Sequence, residues 1–145
     1  MSANNQSNYQ DRMKPENCKG EMLFKKWCSE NEWHCQKIGF DGYPTKNFWL
    51  LNPLLRNIPD FVIDKGAKIF VVQVKGSPNF KQNEYHLLDE FINSYHSPEA
   101  PLIYAFCLDQ NPIFKKTEEV KKLYQESQDN IWPDGKIYRT LNLNK

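Results

Sequence analysis

The stretch from Ile58 to Gly76 reads IPDFVIDKGAKIFVVQVKG and contains two runs rich in β-forming residues. These runs, 58–64 and 68–75, are separated by a short turn that contains Gly66. A glycine-containing turn between two runs of β-branched and aromatic residues is typical of a β-hairpin. Two strands joined this tightly must be antiparallel. The sequence therefore predicts an antiparallel hairpin at the centre of the fold.

The register of this hairpin brings three polar side chains to one face of the sheet. If the loop has two residues, with Gly66 in the first position of a type II′ turn, Asp60 lies opposite Gln73. A four-residue loop preserves this pairing, whereas a loop of odd length would break it. Side chains alternate along a strand, so Gln73 and Lys75 point to the same face. We therefore expect Asp60, Gln73 and Lys75 to converge.

Helical and β patterns flank the hairpin on both sides. Upstream, apolar residues at helical spacing predict a first helix, with Asn17 as its N-cap and Asn31 near its end, and 33–39 predicts a short strand. After Pro78 a second helix is predicted from an apolar stripe. The members of that stripe are Leu88, Phe91, Ile92 and Tyr95.

The C-terminal part of the chain predicts one buried strand and a smaller extension. The run LIYAFCL, residues 102–108, is apolar on both faces, which fits a fully buried strand. A helix over about 117–128 and a short strand over 136–141 follow. The predicted fold class is therefore α/β, an α+β mixed sheet flanked by helices, in the order α-β-β-β-α-β with a C-terminal helix and strand.

Length and composition favour one intracellular domain. The chain has 145 residues, 39% of them hydrophobic, and a chain of this length buries roughly 68–70% of its unfolded surface. Residues 1–14 are polar and predict a disordered arm, which leaves 15–145 as a single domain. No stretch approaches the roughly 20 apolar residues of a membrane helix, and the N-terminus lacks the apolar run of a signal peptide. We expect a cytoplasmic protein that does not contact membranes.

Charge and cysteine usage argue against two simple functions. With 19 basic and 18 acidic residues the net charge is +1, which excludes a strongly basic protein that coats phosphate indiscriminately. The four cysteines form no C-x-x-C pair and have no matching histidine spacing, so a structural zinc site has little support. Any nucleic-acid function must therefore come from a local arrangement of residues.

Two short motifs in the hairpin resemble the PD-(D/E)xK nuclease superfamily. Pro59-Asp60 is followed, after twelve intervening residues, by Gln73-Val74-Lys75. The resemblance extends over about residues 15–110, because the superfamily's restriction-endonuclease-like core has the same αβββαβ order. It implies a metal-dependent endonuclease that hydrolyses phosphodiester bonds in DNA. In this superfamily the first helix often supplies an acid, and Glu21 is the candidate.

The chemistry of phosphodiester hydrolysis explains these residue types. The reaction needs an activated water and neutralisation of the charge that develops on phosphorus. Mg²⁺ takes hard oxygen ligands and keeps several waters, so Asp60 with substrate phosphate can hold it, and Mn²⁺ is expected to substitute. The resemblance adds the Val74 carbonyl as a ligand and Glu21 as a direct or water-mediated one. Lys75 would orient the attacking water and neutralise the scissile phosphate.

Gln73 departs from the common pattern, which has an acid at this position. A glutamine oxygen can still bind Mg²⁺, but it brings no charge and holds the metal less strongly. Some superfamily members, including a group of small intron-encoded homing endonucleases, resemble this chain in carrying glutamine here. The competing interpretation is a catalytically weak or inactive relative that binds nucleic acid without cutting it.

Residues around the motif suggest how DNA is held. Lys81, Gln82 and Tyr85 lie near the start of the second helix and resemble positions that contact phosphate in relatives, although a solvated helix face explains them equally. The apolar segment 40–57 fits a subunit interface, a cover over the sheet, or a DNA-facing loop that uses Lys46 and Arg56.

The small size of the chain bears on its oligomeric state and on the class of its substrate. One such domain has one active site, and cutting both strands of a duplex or a junction needs two sites related by symmetry, so we expect a homodimer or higher homo-oligomer. The compact size resembles Holliday junction resolvases and small homing endonucleases. Restriction-like enzymes are also compatible with these features, and RNA is a possible substrate because no residue pattern reads a 2′-hydroxyl.

Overall fold

The structure is a computed structural model that describes residues 19–39 and 58–144. Several predictions lie outside these residues: the N-terminal arm, the N-cap Asn17, and the segment 40–57 with Lys46, Arg56 and the proposed subunit interface.

In chain order the elements are α1 (Lys19–Glu30), β1 (His34–Lys37), β2 (Phe61–Lys65), β3 (Lys68–Lys75), β4 (Asn79–Lys81), α2 (Gln82–His86), α3 (Leu88–Tyr95), β5 (Leu102–Phe106), β6 (Ile113–Lys116), α4 (Thr117–Gln125), β7 (Asp129–Ile131) and β8 (Ile137–Thr140).

The strands form two sheets, and the larger one is mixed. Its order is β1-β2-β3-β5-β6, and β1, β2 and β3 follow one another antiparallel. β5 then runs parallel to β3, and β6 returns antiparallel to β5. The smaller sheet is antiparallel in the order β4-β8-β7. The mixed α/β class predicted from the sequence is therefore confirmed, and the restriction-endonuclease-like assignment stays a prediction.

The hairpin has the register predicted from its turn. Lys65 pairs with Lys68 and Asp64 pairs with Ile69, so the loop has two residues. Gly66 has a φ of +63°, whereas the φ of Ala67 is not positive. This is the φ pattern of a type II′ turn, in which glycine takes the first central position without steric cost. The register prediction is confirmed.

Two apolar cores cover the two faces of the larger sheet. The α1-side core consists of Phe24, Cys28, Phe61, Ile63, Val72, Ala105 and Cys107. The α4-side core consists of Phe80, Leu88, Phe91, Leu102, Tyr104, Phe106, Val120, Leu123, Tyr124, Leu141 and Leu143. Alternate residues of β5 enter opposite cores, which explains why the strand is apolar on both faces. The predicted buried strand is confirmed over 102–106, whereas Cys107 is buried beyond its end and Leu108 is 42% exposed.

Some element boundaries differ from those predicted. β2 begins at Phe61 rather than at residue 58, because Pro59 cannot donate to a strand ladder. The second helix is divided at Leu87, which has φ −92° and ψ −2°, into α2 and α3. The strands β4, β6 and β7 were not predicted. In the described part of the chain, no helix combines the length and the apolar character that crossing a membrane needs.

Three cysteines meet in or beside the α1-side core, and their surroundings differ. Cys28 and Cys107 are each 1% exposed, whereas Cys35 on β1 is half-buried. The Cys28 thiol donates a hydrogen bond to the Cys35 sulfur, which lowers the pKa of Cys35 and raises that of Cys28. Burial alone raises the pKa of Cys107 to about 12.

These differences predict selective thiol labelling. A thiolate reacts and a thiol does not, so the group with the lowered pKa stays reactive as the pH falls toward neutrality. In a Cys18→Ser background at pH 7, we expect a thiol reagent to modify Cys35 well before Cys107, as measured by mass spectrometry of the labelled peptides. Equal labelling rates at Cys35 and Cys107 in the folded protein would contradict this arrangement of the core.

Candidate active site

The β2–β3 ladder stops where the motif begins. Continuing its register by one step places Asp60 opposite Gln73, and a second step places Pro59 opposite Val74. Because proline has no N–H, Pro59 cannot donate a ladder hydrogen bond to the Val74 carbonyl. The Val74 N–H donates to Asp60 Oδ2 at 2.8 Å. A carboxylate thus takes the place of a backbone acceptor at the end of the strand pair.

Asp60 is buried and held from its other side by the chain that follows β1. Its side chain and backbone together are only 2% exposed. Its backbone carbonyl accepts the N–H groups of Ile38 at 2.9 Å and Gly39 at 3.2 Å. A Cβ at Gly39 would lie 3.1 Å from the Asp60 Cα and 3.2 Å from Asp60 Oδ1. Because glycine has no Cβ, the backbone at Gly39 can lie close to Asp60 and hold the Asp60 carboxylate in place.

This close approach predicts a specific effect of Gly39→Ala. The added methyl group must displace Asp60, and overpacking of this kind costs about 1–3 kcal/mol of folding stability. We expect urea unfolding to show that loss. Gly76→Ala is the matched control, because a Cβ at Gly76 would meet nothing within 4 Å. If the two variants unfold at the same urea concentration, Gly39 does not constrain Asp60.

Gln73 and Lys75 lie on the face of β3 that carries the α4-side core. Val72 belongs to the α1-side core and Val71 packs against the α4-side core, so alternation turns Gln73 and Lys75 toward the latter. Gln73 lies beside Tyr104 in the parallel pairing with β5. The Gln73 Oε1 atom is buried and has no hydrogen-bond partner among the described residues. An unsatisfied buried acceptor costs about 1–3 kcal/mol, so this atom is suited to a donor or a cation.

Lys75 forms an ion pair with a residue that the sequence analysis missed. Its Nζ atom lies 2.9 Å from Oε1 and 3.1 Å from Oε2 of Glu84, the third residue of α2. The side chains are 14% and 31% exposed, and the ammonium also lies 5.0 Å from the centre of the Phe80 ring. Glu84 is the first acid after Lys75 in the chain, and that proximity was the available signal.

The pKa of the Tyr104 phenol is raised by its burial and by the charges of two carboxylates. Burial raises its pKa well above the ordinary value, and the charges of Glu84 and Asp60 raise the pKa further, in that order. Tyr104 belongs to the α4-side core. Asp60 and Glu84 therefore both act electrostatically on the face that carries Gln73 and Lys75.

Glu21 is placed differently from the other predicted ligands. It is in the first turn of α1 and forms an ion pair with Lys37 of β1. Lys37 pairs with Phe61 and its ammonium lies 5.2 Å from the centre of that ring, on the α1-side face. The structure does not place Glu21 on the face that carries Gln73 and Lys75. The role of Glu21 as a metal ligand stays a prediction.

The predicted DNA contacts near the second helix occupy different environments. Lys81 is exposed at the end of β4, and Gln82 is half-buried at the start of α2. The Tyr85 ring stacks on Tyr124 with centroids 4.0 Å apart, and its hydroxyl accepts a hydrogen bond from Gln125 Nε2 at 2.9 Å. The Tyr85 ring thus serves packing between α2 and α4, and Lys81 has the most accessible side chain of the three.

The oxygen atoms at the end of the hairpin fit a hard cation. The described residues contain no cluster of three or more His, Cys, Asp and Glu side chains suited to a metal. Mg²⁺ does not require one, because it binds through one or two carboxylates and keeps waters and substrate phosphate as its other ligands. The Asp60 carboxylate and the orphaned Gln73 Oε1 are oxygen donors of the right type. The residues present therefore fit Mg²⁺.

Comparison with known proteins adds no family assignment. The chain matches no family model and no curated protein. The function of this chain is therefore inferred from the geometry of the hairpin and the residues that surround it.

Proposed function

We propose that this chain is a metal-dependent endodeoxyribonuclease that hydrolyses phosphodiester bonds in duplex or branched DNA. The observation that supports the proposal most strongly is the hairpin register. It brings a buried carboxylate, an orphaned amide oxygen and a lysine ammonium to one end of one sheet, at Asp60, Gln73 and Lys75. Hydrolysis of a phosphodiester uses a carboxylate that binds a metal ion and a positive charge beside the phosphate, and the amide oxygen of Gln73 adds an uncharged ligand.

The roles of the three residues follow from their chemistry. Asp60 and Gln73 would hold Mg²⁺ or Mn²⁺. The Val74 carbonyl would be a further oxygen ligand, because Pro59 has no N–H that could hydrogen-bond to it. When bound, the metal ion would lower the pKa of a water and neutralise charge on the phosphoryl oxygens. Lys75 positions the attacking water by hydrogen bonding and adds positive charge beside the scissile phosphate. The core packing that holds β3 against β5 keeps these groups fixed in relation to one another.

The surroundings of the site define the rest of the proposal. Lys81 is exposed on β4, directly before the helix that carries Glu84, and would contact a DNA phosphate. A homodimer or higher homo-oligomer, acting in the cytoplasm, would present two such sites to the two strands of a duplex or junction.

The ion pair also favours a second candidate function. Both carboxylate oxygens of Glu84 contact the Lys75 ammonium, and position 73 carries no charge. A lysine held in this way and a weakened metal site are compatible with a nuclease-fold module that binds nucleic acid without cutting it. Such a module would bind DNA equally well with Mg²⁺ and with EDTA.

A cleavage assay distinguishes the two functions. Purified protein is incubated with supercoiled plasmid, a four-way DNA junction, single-stranded DNA and RNA, each with Mg²⁺, with Mn²⁺ and with EDTA. The nuclease proposal predicts cleavage of at least one DNA substrate that depends on the metal. Binding to DNA without cleavage under every condition would favour the non-cleaving module, and cleavage of RNA alone would correct the substrate class.

A further inference from the structure

The charge balance of the predicted site is unusual for a metal centre. Asp60 contributes one negative charge, Gln73 contributes none and Lys75 contributes one positive charge. These three residues are therefore neutral together. A divalent cation gains most from a site with net negative charge, and the amide at Gln73 offers only a dipole. A further carboxylate is needed if the site is to hold the metal well.

Glu84 has the position to provide that carboxylate. It reaches the α4-side face from α2 and contacts the Lys75 ammonium with both oxygens. Lys75 is two residues from Gln73 on the same face of β3. The Tyr104 phenol, which lies beside Gln73 in the sheet, experiences the charges of both Glu84 and Asp60. The two acids come from different elements, and each contacts a β3 residue next to Gln73 or two positions from it: Asp60 accepts the Val74 N–H, and Glu84 pairs with Lys75.

We propose that Glu84 is a metal ligand of this site and supplies the negative charge that position 73 lacks. The inference rests on the proposed nuclease function and adds to it a residue that is not part of the hairpin motif. Glu84 is 31% exposed, so it can reorient more freely than the buried Asp60. In the metal-bound enzyme one Glu84 oxygen would remain with Lys75 and the other would bind the metal.

A direct metal-binding experiment tests this role without relying on cleavage. Tb³⁺ prefers hard oxygen ligands and emits when a nearby aromatic side chain is excited, and Tyr104 lies beside the site. Tb³⁺ is titrated into the full-length wild type and into E84Q, with Mg²⁺ used as a competitor. Because loss even of outer partners costs roughly 10–100-fold in metal affinity, we expect E84Q to weaken Tb³⁺ binding at least tenfold.

Matched variants separate a ligand from a structural residue. E90Q removes an exposed acid on α3 and should bind Tb³⁺ as the wild type does. The double variant Q73E/E84Q returns a carboxylate to the site from β3, so it should recover most of the lost affinity. If E84Q fails to fold by circular dichroism, E84D, which keeps the charge on a shorter side chain, is expected to bind Tb³⁺ more weakly than the wild type.

The outcomes distinguish this inference from the proposed function. If D60N loses Tb³⁺ binding while E84Q and E84D bind it as the wild type does, the metal site stands and Glu84 is only the partner of Lys75. If the double variant Q73E/E84Q binds Tb³⁺ no better than E84Q, the effect of Glu84 does not come from its charge and the inference is wrong. If the wild type binds no Tb³⁺, or D60N binds it unchanged, the metal site itself fails, and with it the proposed nuclease.

Discussion

Replacing Lys75 by alanine is expected to lower DNA cleavage by roughly 10²–10⁴-fold, the range contributed by a positioned acid-base or hydrogen-bonding group. The Lys75 side chain is 14% exposed, and its ammonium is fixed by the Glu84 carboxylate and by the nearby Phe80 ring. A water molecule cannot replace a positive charge held in this geometry. Single-turnover cleavage of plasmid or junction DNA at saturating protein measures the chemical step apart from DNA binding.

Lys68→Ala is the matched control for this experiment. Lys68 is an exposed lysine at the opposite end of the same strand, where it pairs with Lys65 beside the turn. Its loss changes the net charge as much as the loss of Lys75 does. Equal rates in wild type and Lys75→Ala would remove Lys75 from the mechanism. An equal decrease in the two lysine variants would point to a general effect of charge on DNA binding.

Two substitutions of Asp60 should separate its structural contribution from its chemical one. In Asp60→Ala the part-buried Val74 N–H loses its acceptor, which costs about 1–3 kcal/mol of stability. Asp60→Asn keeps an oxygen acceptor for that N–H and removes the charge. We therefore expect Asp60→Ala to unfold at lower urea concentration than wild type in metal-free buffer, and Asp60→Asn to remain close to wild type. Both variants should lose cleavage.

Added metal provides the internal check on this pair of variants. A ligand that binds only the folded state raises the free energy of unfolding by RT ln(1 + [L]/Kd), so the increase grows with the ligand concentration relative to Kd. Mg²⁺ or Mn²⁺ should therefore stabilise the wild type against urea and leave both Asp60 variants unchanged. Stabilisation of Asp60→Asn by the metal to the same extent as the wild type would show that the metal binds elsewhere.

The hairpin could be predicted in detail because its information is local. Gly66 marks the turn, a two-residue loop fixes the pairing, and a period of two assigns each side chain to a face. The position of Asp60 opposite Gln73 follows from these facts alone. The buried strand β5 could also be predicted, since a short uninterrupted apolar run is typical of a strand that is covered on both faces.

The partners of the motif could not be predicted because they depend on tertiary packing. Glu84 looks like any polar residue at the start of a helix, and only the packing of α2 brings it to Lys75. Glu21 stands on a helix next to the hairpin, but the orientation of α1 pairs it with Lys37 instead. The strands β4 and β7 have three residues each, which is too short for a periodic pattern to be detected.

The parallel pairing of β3 with β5 has a consequence for the order in which the protein folds. The hairpin strands meet across a two-residue loop, whereas Val71 and its β5 partner Leu102 are 31 positions apart. Closing the longer loop costs more chain entropy, so contacts of this kind tend to form after local ones. The connecting segment between β3 and β5 is also the one that carries Glu84. The folding chain would thus bring Asp60 and Lys75 together first, and the acid that pairs with Lys75 would arrive only as the crossover docks.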